Sequence, residues 1–354
     1  MAPAADRFVP WSDAMRQALY GHGGFYHRPE GPRGHFRTSV HASSSFAGAV
    51  ARLLVEVDGA LGHPARVDLV DVGAGRGELL RDVLSLLGTT GSLADRVRLT
   101  GVELAARPDG LPATVRWLAD LPEEVVGLLV ANEWLDDVPF DVVEVGADGP
   151  LVVLVDPVTG HETPGGPVGV QDAAWLARWW PLDGAPVGDR AEVGRLRDQA
   201  WASGVASLRN GVAVAVDYGH LRAERVARQR AAGTLAAHRD GRVVAAVPDG
   251  SCDVTAHVAV DACAAAGVLA GARVTRLLRQ RTALRLLGVD GRPPPVELAR
   301  TDPLTYAGAL AGASEAAELL DPDGLGGFWW VVQSVGDVPG VGLLAAASEA
   351  APDV

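Results

Sequence analysis

The stretch that most constrains the fold is VDLVDVGAGRGELL, residues 67–80, in which an apolar run ends at an acidic residue and enters a turn with glycine at every second position. Residues 67–72 predict a short buried β-strand, and the spacing of leucine and valine over residues 78–87 predicts the helix that follows. A strand, a glycine turn and a helix form the nucleotide-binding corner of a doubly wound α/β sheet. Glycine suits such a turn because it lets a ligand approach the main chain closely.

Three classes of ligand bind at a corner of this kind. A nucleoside triphosphate is excluded because its phosphate loop requires a lysine, and the chain contains no lysine. A dinucleotide, as in a dehydrogenase, calls for a third glycine where this chain has Glu78, whose carboxylate would face the pyrophosphate. S-adenosylmethionine (SAM) has no phosphate, and its binding corner follows the pattern Asp/Glu-x-Gly-x-Gly-x-Gly. The residues that match this pattern are Asp71, Gly73, Gly75 and Gly77.

Acidic residues also follow the next two predicted strands. The segment VRLTGVEL offers Glu103, whose carboxylate can accept hydrogen bonds from both ribose hydroxyls. The segment TVRWLAD ends in Asp120, a suitable partner for the adenine amino group. Because three strands in order end in the required residue type, the sequence predicts SAM as the cofactor.

The composition excludes several other classes of chemistry and partner. The chain of 354 residues has a formal net charge of -13, so we expect no nucleic-acid partner. The absence of lysine excludes Schiff-base chemistry and any lysine general base. The nine histidines show no ligand spacing on a helix, so we expect no metal site.

Cysteine content and hydropathy bear on the compartment. The two cysteines, Cys252 and Cys263, are too few for a disulfide framework and fit a reducing compartment. No apolar run approaches the roughly 20 residues that a membrane span needs, and the first residues lack the apolar region of a signal peptide. We therefore expect a cytoplasmic protein without a membrane span. The oligomeric state is not indicated.

Alternating strand and helix signals predict one α/β domain of the Rossmann-like class I SAM-dependent methyltransferase type over residues 1–354. Its predicted parts are an N-terminal helical lid with a cofactor loop (1–60), a core with C-terminal insertions (62–145 and 205–354), and an inserted hairpin and helical segment (146–200). We expect the insertions to form the groove for the methyl acceptor.

Two late segments, residues 281–289 and 328–336, are predicted to be strands that complete the sheet by antiparallel pairing. A tryptophan-rich helix is expected in the inserted segment. Its side chains Trp175, Trp179 and Trp180 are more typical of a core than of a ligand site.

The predicted fourth strand leaves its apolar run at Asn132 and Glu133, followed by Asp136 and Asp137. Ligands of open α/β sheets lie at the carboxyl ends of the strands, so we expect these side chains to point toward the transferred methyl group. We assign Asn132 to the cofactor, and Glu133 and Asp136 to catalysis. Carboxylates can orient a cationic acceptor by paired hydrogen bonds, although Asp136 or Asp137 could equally be a turn residue before Pro139.

Seven segments occur in an order that resembles one known family. The segments are MRQALYGHGGFY, GHFRTS, ANEWLDDVP, VDYG, GTL, DVTAHV and GLGGFWWVVQ. Together they resemble the MidA family of SAM-dependent methyltransferases, which includes a mitochondrial complex I assembly factor that methylates an arginine of a respiratory-chain subunit. The resemblance covers nearly the whole chain. It implies a protein substrate that presents an arginine.

The resemblance also implies roles for further residues. It implies a loop folded over the cofactor, formed by Gly34, Phe36, Thr38 and Ser39. It implies that Glu133 and Asp136 line the acceptor pocket, and that four more residues lie near that pocket, namely Asp217, Tyr218, Thr255 and His257.

The chain departs from the family pattern at the predicted cofactor loop, where two family acids are replaced by His35 and His41. Two alternatives to protein arginine methylation therefore stay open. One is a methyltransferase that acts on a small molecule, and the other is a catalytically silent SAM-binding assembly protein.

Overall fold

The computed structural model describes residues 7–28, 38–88, 93–227 and 231–350. The strands in these ranges are β1 (Val9–Pro10), β2 (Val67–Val72), β3 (Val97–Val102), β4 (Arg116–Leu118), β5 (Val125–Asn132), β6 (Asp141–Gly146), β7 (Gly149–Val155), β8 (Glu162–Pro167), β9 (Arg190–Val193), β10 (Leu208–Asp217), β11 (Gly219–His220), β12 (Ala236–Arg239), β13 (Arg242–Val244), β14 (Asp253–Thr255), β15 (Val258–Ala259), β16 (Val274–Arg279) and β17 (Trp329–Val335).

The helices of the same ranges are α1 (Trp11–Tyr20), α2 (Ser39–Ala42), α3 (Ser44–Ala60), α4 (Glu78–Leu87), α5 (Val170–Trp179), α6 (Arg195–Ala206), α7 (Arg222–Val226), α8 (Val260–Leu269), α9 (Gln280–Leu286), α10 (Val296–Thr301), α11 (Pro303–Leu320) and α12 (Gly342–Ala345). Two short 3-10 helices add to these, at Phe25–His27 and Leu325–Gly327.

A central sheet organises the molecule. Its strands lie in the order β16-β17-β10-β5-β2-β3-β4. The five strands from β10 to β4 pair in parallel, and β17 pairs antiparallel with both β10 and β16. This arrangement confirms the predicted Rossmann-like α/β fold. Because the parallel strands share a direction, the side chains that follow them meet at one edge of the sheet.

Strand β2 lies in the middle of this sheet, and all six of its residues are buried. Val67 and Leu69 pack on one face with α3, α4 and α11, whereas Val70 and Val72 pack on the other face with α6 and α8. This alternation is the period of two that a strand imposes on its side chains. The predicted bounds of β2 and of α4 are both confirmed.

A charged residue inside β2 ties it to both neighbouring strands. The Asp68 carboxylate accepts a hydrogen bond from Arg98 Nε of β3 at 2.5 Å and another from the Val126 amide of β5 at 3.0 Å. Both carboxylate oxygens therefore have partners, which is how a charge is accommodated in a buried strand.

The segment after β5 forms a second, smaller sheet. Its order is β1-β7-β6-β9, with β8 paired to β7. Strands β6 and β7 form the predicted hairpin, closed by the pair Gly146 and Gly149. On α5 and just after it, Trp175, Trp179 and Trp180 are all buried, and they pack with Val143 and Val193. The expectation that these tryptophans belong to a core is confirmed.

One of the two late strands was predicted at the wrong place. Residues 281–289 lie mostly in the helix α9, and the strand is β16, which ends directly before that helix. The apolar residues Ala283, Leu284 and Leu287 recur at three and four positions, which is helical spacing. The other late strand is confirmed as β17.

Among the helices of the described ranges, none has the length and apolar character needed to cross a membrane. The division of the chain into a lid, a core and an inserted segment stays a prediction.

Candidate functional site

A cavity of about 540 Å³ lies beside the glycine turn, where β2, β3 and β5 end. It brings together residues that are far apart in the sequence. The predicted site residues that line it are Thr38, Asp71, Gly73, Gly75, Glu103, Asp120, Asn132, Glu133 and Asp136. The turn, the two later strand ends and the end of β5 thus meet at one cavity.

Several predicted cofactor residues lie elsewhere. Gly77 does not line the cavity; it precedes α4 with a φ of 74°, and a Cβ added there would lie 2.7 Å from Leu111 Cδ1. Ser39 is buried behind the cavity wall, and its amide donates a hydrogen bond to Glu133 Oε1 at 2.7 Å. Gly34 and Phe36 fall outside the described residues, as does His35.

The four residues expected near the acceptor do not line the cavity themselves. The Asp217 carboxylate accepts hydrogen bonds from the amides of Leu135 and Asp136, at 2.9 and 3.2 Å. The Tyr218 hydroxyl donates to Asp136 Oδ2, so it contacts the cavity wall from behind. Thr255 lies in β14, and the His257 ring packs against Tyr218 at 5.2 Å between centroids.

The glycine turn is held close to its neighbours. Gly73 has a φ of 70°, and a Cβ added there would lie 2.8 Å from Trp134 Cδ1. The Gly75 amide donates to Glu103 Oε2 at 3.1 Å, which joins the turn to the end of β3. Burial, together with the nearby carboxylates of Glu78 and Glu103, raises the pKa of Asp71 well above its usual range.

Glu133 has an unusual backbone conformation. Its φ is 49°, in the left-handed region that a residue with a side chain seldom adopts. Its carboxylate accepts hydrogen bonds from the Ser39 amide and, at 3.2 Å, from Asn132 Nδ2. Burial raises the pKa of Glu133 to about 7, although these hydrogen bonds oppose the shift. The side chain can therefore gain or lose a proton near neutral pH.

The next turn of chain adds two more carboxyl groups to the cavity wall, those of Asp136 and Asp137. Asp217 and Asp253 lie behind them, and burial raises the pKa of all four. The charge of Asp136 raises the pKa of the other three further. Buried like charges cannot all ionise together. A cation in the cavity would relieve this repulsion.

The N-terminal segment supplies lining residues to which the sequence had given no role. Arg16, Tyr20 and Tyr26 all line the cavity. The two tyrosine rings stack at 5.4 Å between centroids, and the Tyr26 hydroxyl donates to Asp137 Oδ2. Nothing in the sequence around these two tyrosines indicates a contact with Asp137, which lies 111 positions after Tyr26. Only the resemblance to a family motif singled out this part of the chain.

His41, which stands where the family pattern has an acid, also lines the cavity. His41 Nδ1 lies 2.8 Å from Thr38 Oγ1, and its Nε2 lies 3.5 Å from Glu78 Oε1. Although burial opposes the change, hydrogen bonds from His41 and from backbone amides lower the pKa of Glu78. The histidine thus faces a carboxylate on the first turn of α4.

The arrangement divides the cavity into two chemical halves. The turn half offers bare glycine backbone and the carboxyl groups of Asp71, Glu103 and Asp120, which suit a ligand with hydroxyl and amino groups. The half around Glu133, Asp136 and Asp137 is rich in carboxyl groups, which suit a cation with several N–H donors.

Comparison with known proteins gives independent information. A family model described as "Putative S-adenosyl-L-methionine-dependent methyltransferase" matches residues 49–278, which is more than half of the chain. A crystal structure from Burkholderia thailandensis, described as a "likely methyl transferase" bound to S-adenosyl-homocysteine, is 28% identical with a TM-score of 0.79. The similarity covers 98% of this chain and 93% of that one.

A native crystal structure of an uncharacterized protein from the same organism is also similar. It is 28% identical with a TM-score of 0.80, over 98% of this chain and 92% of that one. No curated protein sequence matches this chain.

Proposed function

The chain belongs to the family of SAM-dependent methyltransferases whose model spans residues 49–278, and on this premise we propose that it methylates a nitrogen of an arginine side chain on a protein partner. The order of its sequence motifs, which resembles that of the MidA family, supports the choice of arginine. The two free cysteines, both buried, support a reducing compartment, and we propose the cytoplasm.

The residues around the glycine turn fit SAM. A side chain at Gly73 would collide with Trp134, so the cavity depends on a bare backbone there. The buried Asn132 Oδ1 has no hydrogen-bond partner among the described residues, which leaves it available to a ligand donor. We propose that Asp71, Gly73, Gly75 and Asn132 hold the amino-acid part of SAM, with Glu103 at the ribose and Asp120 at the adenine.

When bound, SAM supplies an electrophilic methyl group on a sulfonium centre. The role proposed for the protein is to align the acceptor nitrogen in line with that methyl group. Glu133 and Asp136 hold the acceptor by hydrogen bonds from its N–H groups. The nitrogen forms a bond to carbon as the carbon–sulfur bond breaks, and the proton that the nitrogen loses passes to the Glu133 carboxylate.

One observation carries the choice of a cationic acceptor. Glu133, Asp136 and Asp137 face the same cavity with buried carboxyl groups. In this low-dielectric setting a guanidinium is attracted far more strongly than in water. A neutral acceptor would leave the repulsion among these carboxylates unrelieved.

The test is to find where the methyl group goes. Purified protein and isotopically labelled SAM are incubated with an extract of cells that lack the protein, and the products are separated by size and analysed by mass spectrometry. We expect label on arginine in digested protein, and none when the Glu133→Gln variant replaces the wild type. Label found only in small molecules would instead identify the alternative acceptor class.

A further inference from the structure

Asp136 and Asp137 are each held by a tyrosine hydroxyl. The Tyr218 hydroxyl donates to Oδ2 of Asp136, and the Tyr26 hydroxyl donates to Oδ2 of Asp137. One tyrosine follows β10 of the central sheet, whereas the other belongs to the short helix after α1. Two unrelated parts of the chain thus fix two adjacent carboxylates in the same way.

The second oxygen of each carboxylate has no hydrogen-bond partner among the described residues. Oδ1 of Asp136 and Oδ1 of Asp137 are buried and make no hydrogen bond within the described part of the chain. The two residues are 5% and 7% exposed, and both line the cavity. Leaving a buried carboxylate oxygen without a donor costs free energy, so these atoms are suited to accept hydrogen bonds from a ligand.

The buried arginine beside them does not fill this role. The Arg197 guanidinium donates to three carbonyl oxygens, those of Asp136, Val138 and His257, at 2.5, 3.3 and 3.1 Å. Its charge lowers the pKa of Asp136 against the larger effect of burial, but its donors are directed to the backbone. Within the described residues, the two Oδ1 atoms therefore keep unused acceptor capacity at the wall of the cavity.

The N-terminal segment holds Asp137 at two points. In addition to the bond from Tyr26, the Tyr20 hydroxyl donates to the Asp137 carbonyl at 3.2 Å. The two tyrosine rings stack with an interplanar angle of 13°. Asp253 Oδ1 lies 3.4 Å from the Tyr26 hydroxyl and supports it from the far side.

We propose that the pairs Asp136–Tyr218 and Asp137–Tyr26 form a two-carboxylate acceptor site, in which each tyrosine positions one carboxylate and each free Oδ1 accepts an N–H from the acceptor cation. This inference rests on the proposed function and extends it to Asp137 and to the N-terminal tyrosines. A guanidinium presents five N–H donors in a fixed plane, which suits two separate carboxylates. The site is complete only when the N-terminal segment is packed against β5 and its following turn.

The test uses small probes on the full-length protein saturated with S-adenosyl-homocysteine. Binding of butylguanidinium, butylammonium and the neutral isostere butylurea is measured by calorimetry. We expect wild-type protein to bind butylguanidinium at least about tenfold more tightly than butylurea, because charge-assisted hydrogen bonds are the stronger kind. We expect Asp137→Asn to abolish this preference and Tyr26→Phe to reduce it by about threefold.

The matched controls are Asp148→Asn, an exposed acid in the β6–β7 turn, and Tyr306→Phe on α11, away from the cavity. Both should keep the wild-type preference. All variants should bind S-adenosyl-homocysteine within about threefold of wild type, because none of the substituted side chains is assigned to the cofactor. A merely structural role for Tyr26 would change cofactor affinity or unfolding temperature without altering the ratio between the two probes.

The outcomes separate this inference from the function on which it rests. Butylguanidinium binding that Asp137→Asn and Tyr26→Phe leave unchanged would overturn the paired site while leaving an arginine acceptor standing. A preference for butylammonium that Asp137→Asn abolishes would support the paired site and contradict arginine. Equal binding of butylguanidinium and butylurea would overturn both.

Discussion

At the scale of single residues, the site depends on an acid in an unfavourable backbone conformation. Glu133 has a positive φ directly at the end of β5. Such strain costs on the order of 1–3 kcal/mol and persists only when surrounding structure enforces it. Here the Glu133 amide donates to the Val216 carbonyl at 2.8 Å, and the carboxylate is held by Ser39. In this conformation the Glu133 side chain lines the cavity.

The raised pKa of Glu133 leads to a prediction about pH. If its carboxylate takes the proton from the acceptor, activity should rise with pH through about 7, where the ionised fraction grows, and then level off. Glu133→Gln should lower kcat/KM by about 10²–10⁴ at pH above 7 and remove most of this rise. Initial rates of labelled methyl transfer across the pH range measure both effects.

The matched control is Glu123→Gln, because Glu123 is exposed and does not line the cavity. This substitution makes the same change of charge as Glu133→Gln. That variant should follow the wild-type profile. The charge of Asp136 raises the pKa of Glu133, and the charge of Glu133 raises the pKa of Asp217, so a small residual slope is expected. A Glu133→Gln profile identical to that of wild type would show that another group takes the proton.

Gly73 gives a second prediction at this scale. Gly73→Ala introduces a Cβ 2.8 Å from the Trp134 ring, whereas Gly62→Ala introduces one with nothing within 4 Å, at a similar φ of 75°. Both variants should lose about 1 kcal/mol of stability from the left-handed backbone. Only Gly73→Ala should also weaken binding of S-adenosyl-homocysteine, by about tenfold or more, as calorimetry would measure. Equal affinities for the two variants would remove the turn from the cofactor site.

At the scale of elements, the strand β2 positions the glycine turn, and Asp68 fixes β2 between its neighbours. The side chain bonds to Arg98 on one side and to the Val126 amide on the other. Because both partners lie on other strands, Asp68 stabilises the sheet and not the strand alone. The pairing of β2 with β3 and β5 therefore sets the position of the glycine turn relative to the ends of those two strands.

Asp68→Ala should therefore destabilise the protein strongly. The change removes one partner of a largely buried ion pair and leaves the guanidinium and the amide without acceptors, which costs about 3–5 kcal/mol. Unfolding in urea, followed by circular dichroism, measures the loss. Asp148→Ala, at an exposed turn, should change stability by less than about 0.5 kcal/mol. A comparably small effect of Asp68→Ala would mean that the ion pair contributes little to the sheet.

At the scale of the whole molecule, buried acids set the response of stability to pH. Burial raises the pKa of Asp71, of Glu133 and of four aspartates that line or adjoin the carboxyl-rich half of the cavity, the half around Glu133. Those four are Asp136, Asp137, Asp217 and Asp253. The folded protein thus keeps protons that the unfolded chain has released above about pH 4. Because the native state binds more protons, its free energy of unfolding falls as pH rises.

We therefore expect the ligand-free protein to be less stable at about pH 8 than at about pH 5.5, by about 1 kcal/mol or more for each such carboxyl that keeps its proton in the folded state over much of this window. Asp58 and Asp156 act in the opposite sense at lower pH. Hydrogen bonds from Arg96 lower the pKa of Asp58, and hydrogen bonds from Thr159, the Val158 amide and Arg7 outweigh burial and lower that of Asp156 to about 2. The stabilisation from these two carboxylates is therefore lost as pH falls below about 4. Urea unfolding at several pH values tests the sign, and a stability that rises from pH 5.5 to 8 would contradict it.

The sequence by itself determined the corner of the fold formed by β2, the glycine turn and α4. The bounds of β2 and α4, the hairpin of β6 and β7 and the strand β17 could all be predicted, because each depends on periodicity or turn residues within about ten positions. The misplaced late strand shows the limit of such reasoning. A short apolar run such as residues 281–289 fits a strand or a helix until its packing partners are known.

Only the tertiary structure decided what the carboxyl-rich half of the cavity contains. The positive φ of Glu133 arises from contacts of β5 with β10 and with Ser39, which no local pattern encodes. Tyr26 reaches Asp137 across 111 positions of sequence, and Asp253 reaches the same cluster from β14. The raised pKa values follow from burial of these acids together. Local sequence fixes the shape of the turn, whereas long-range packing fixes which charges face each other.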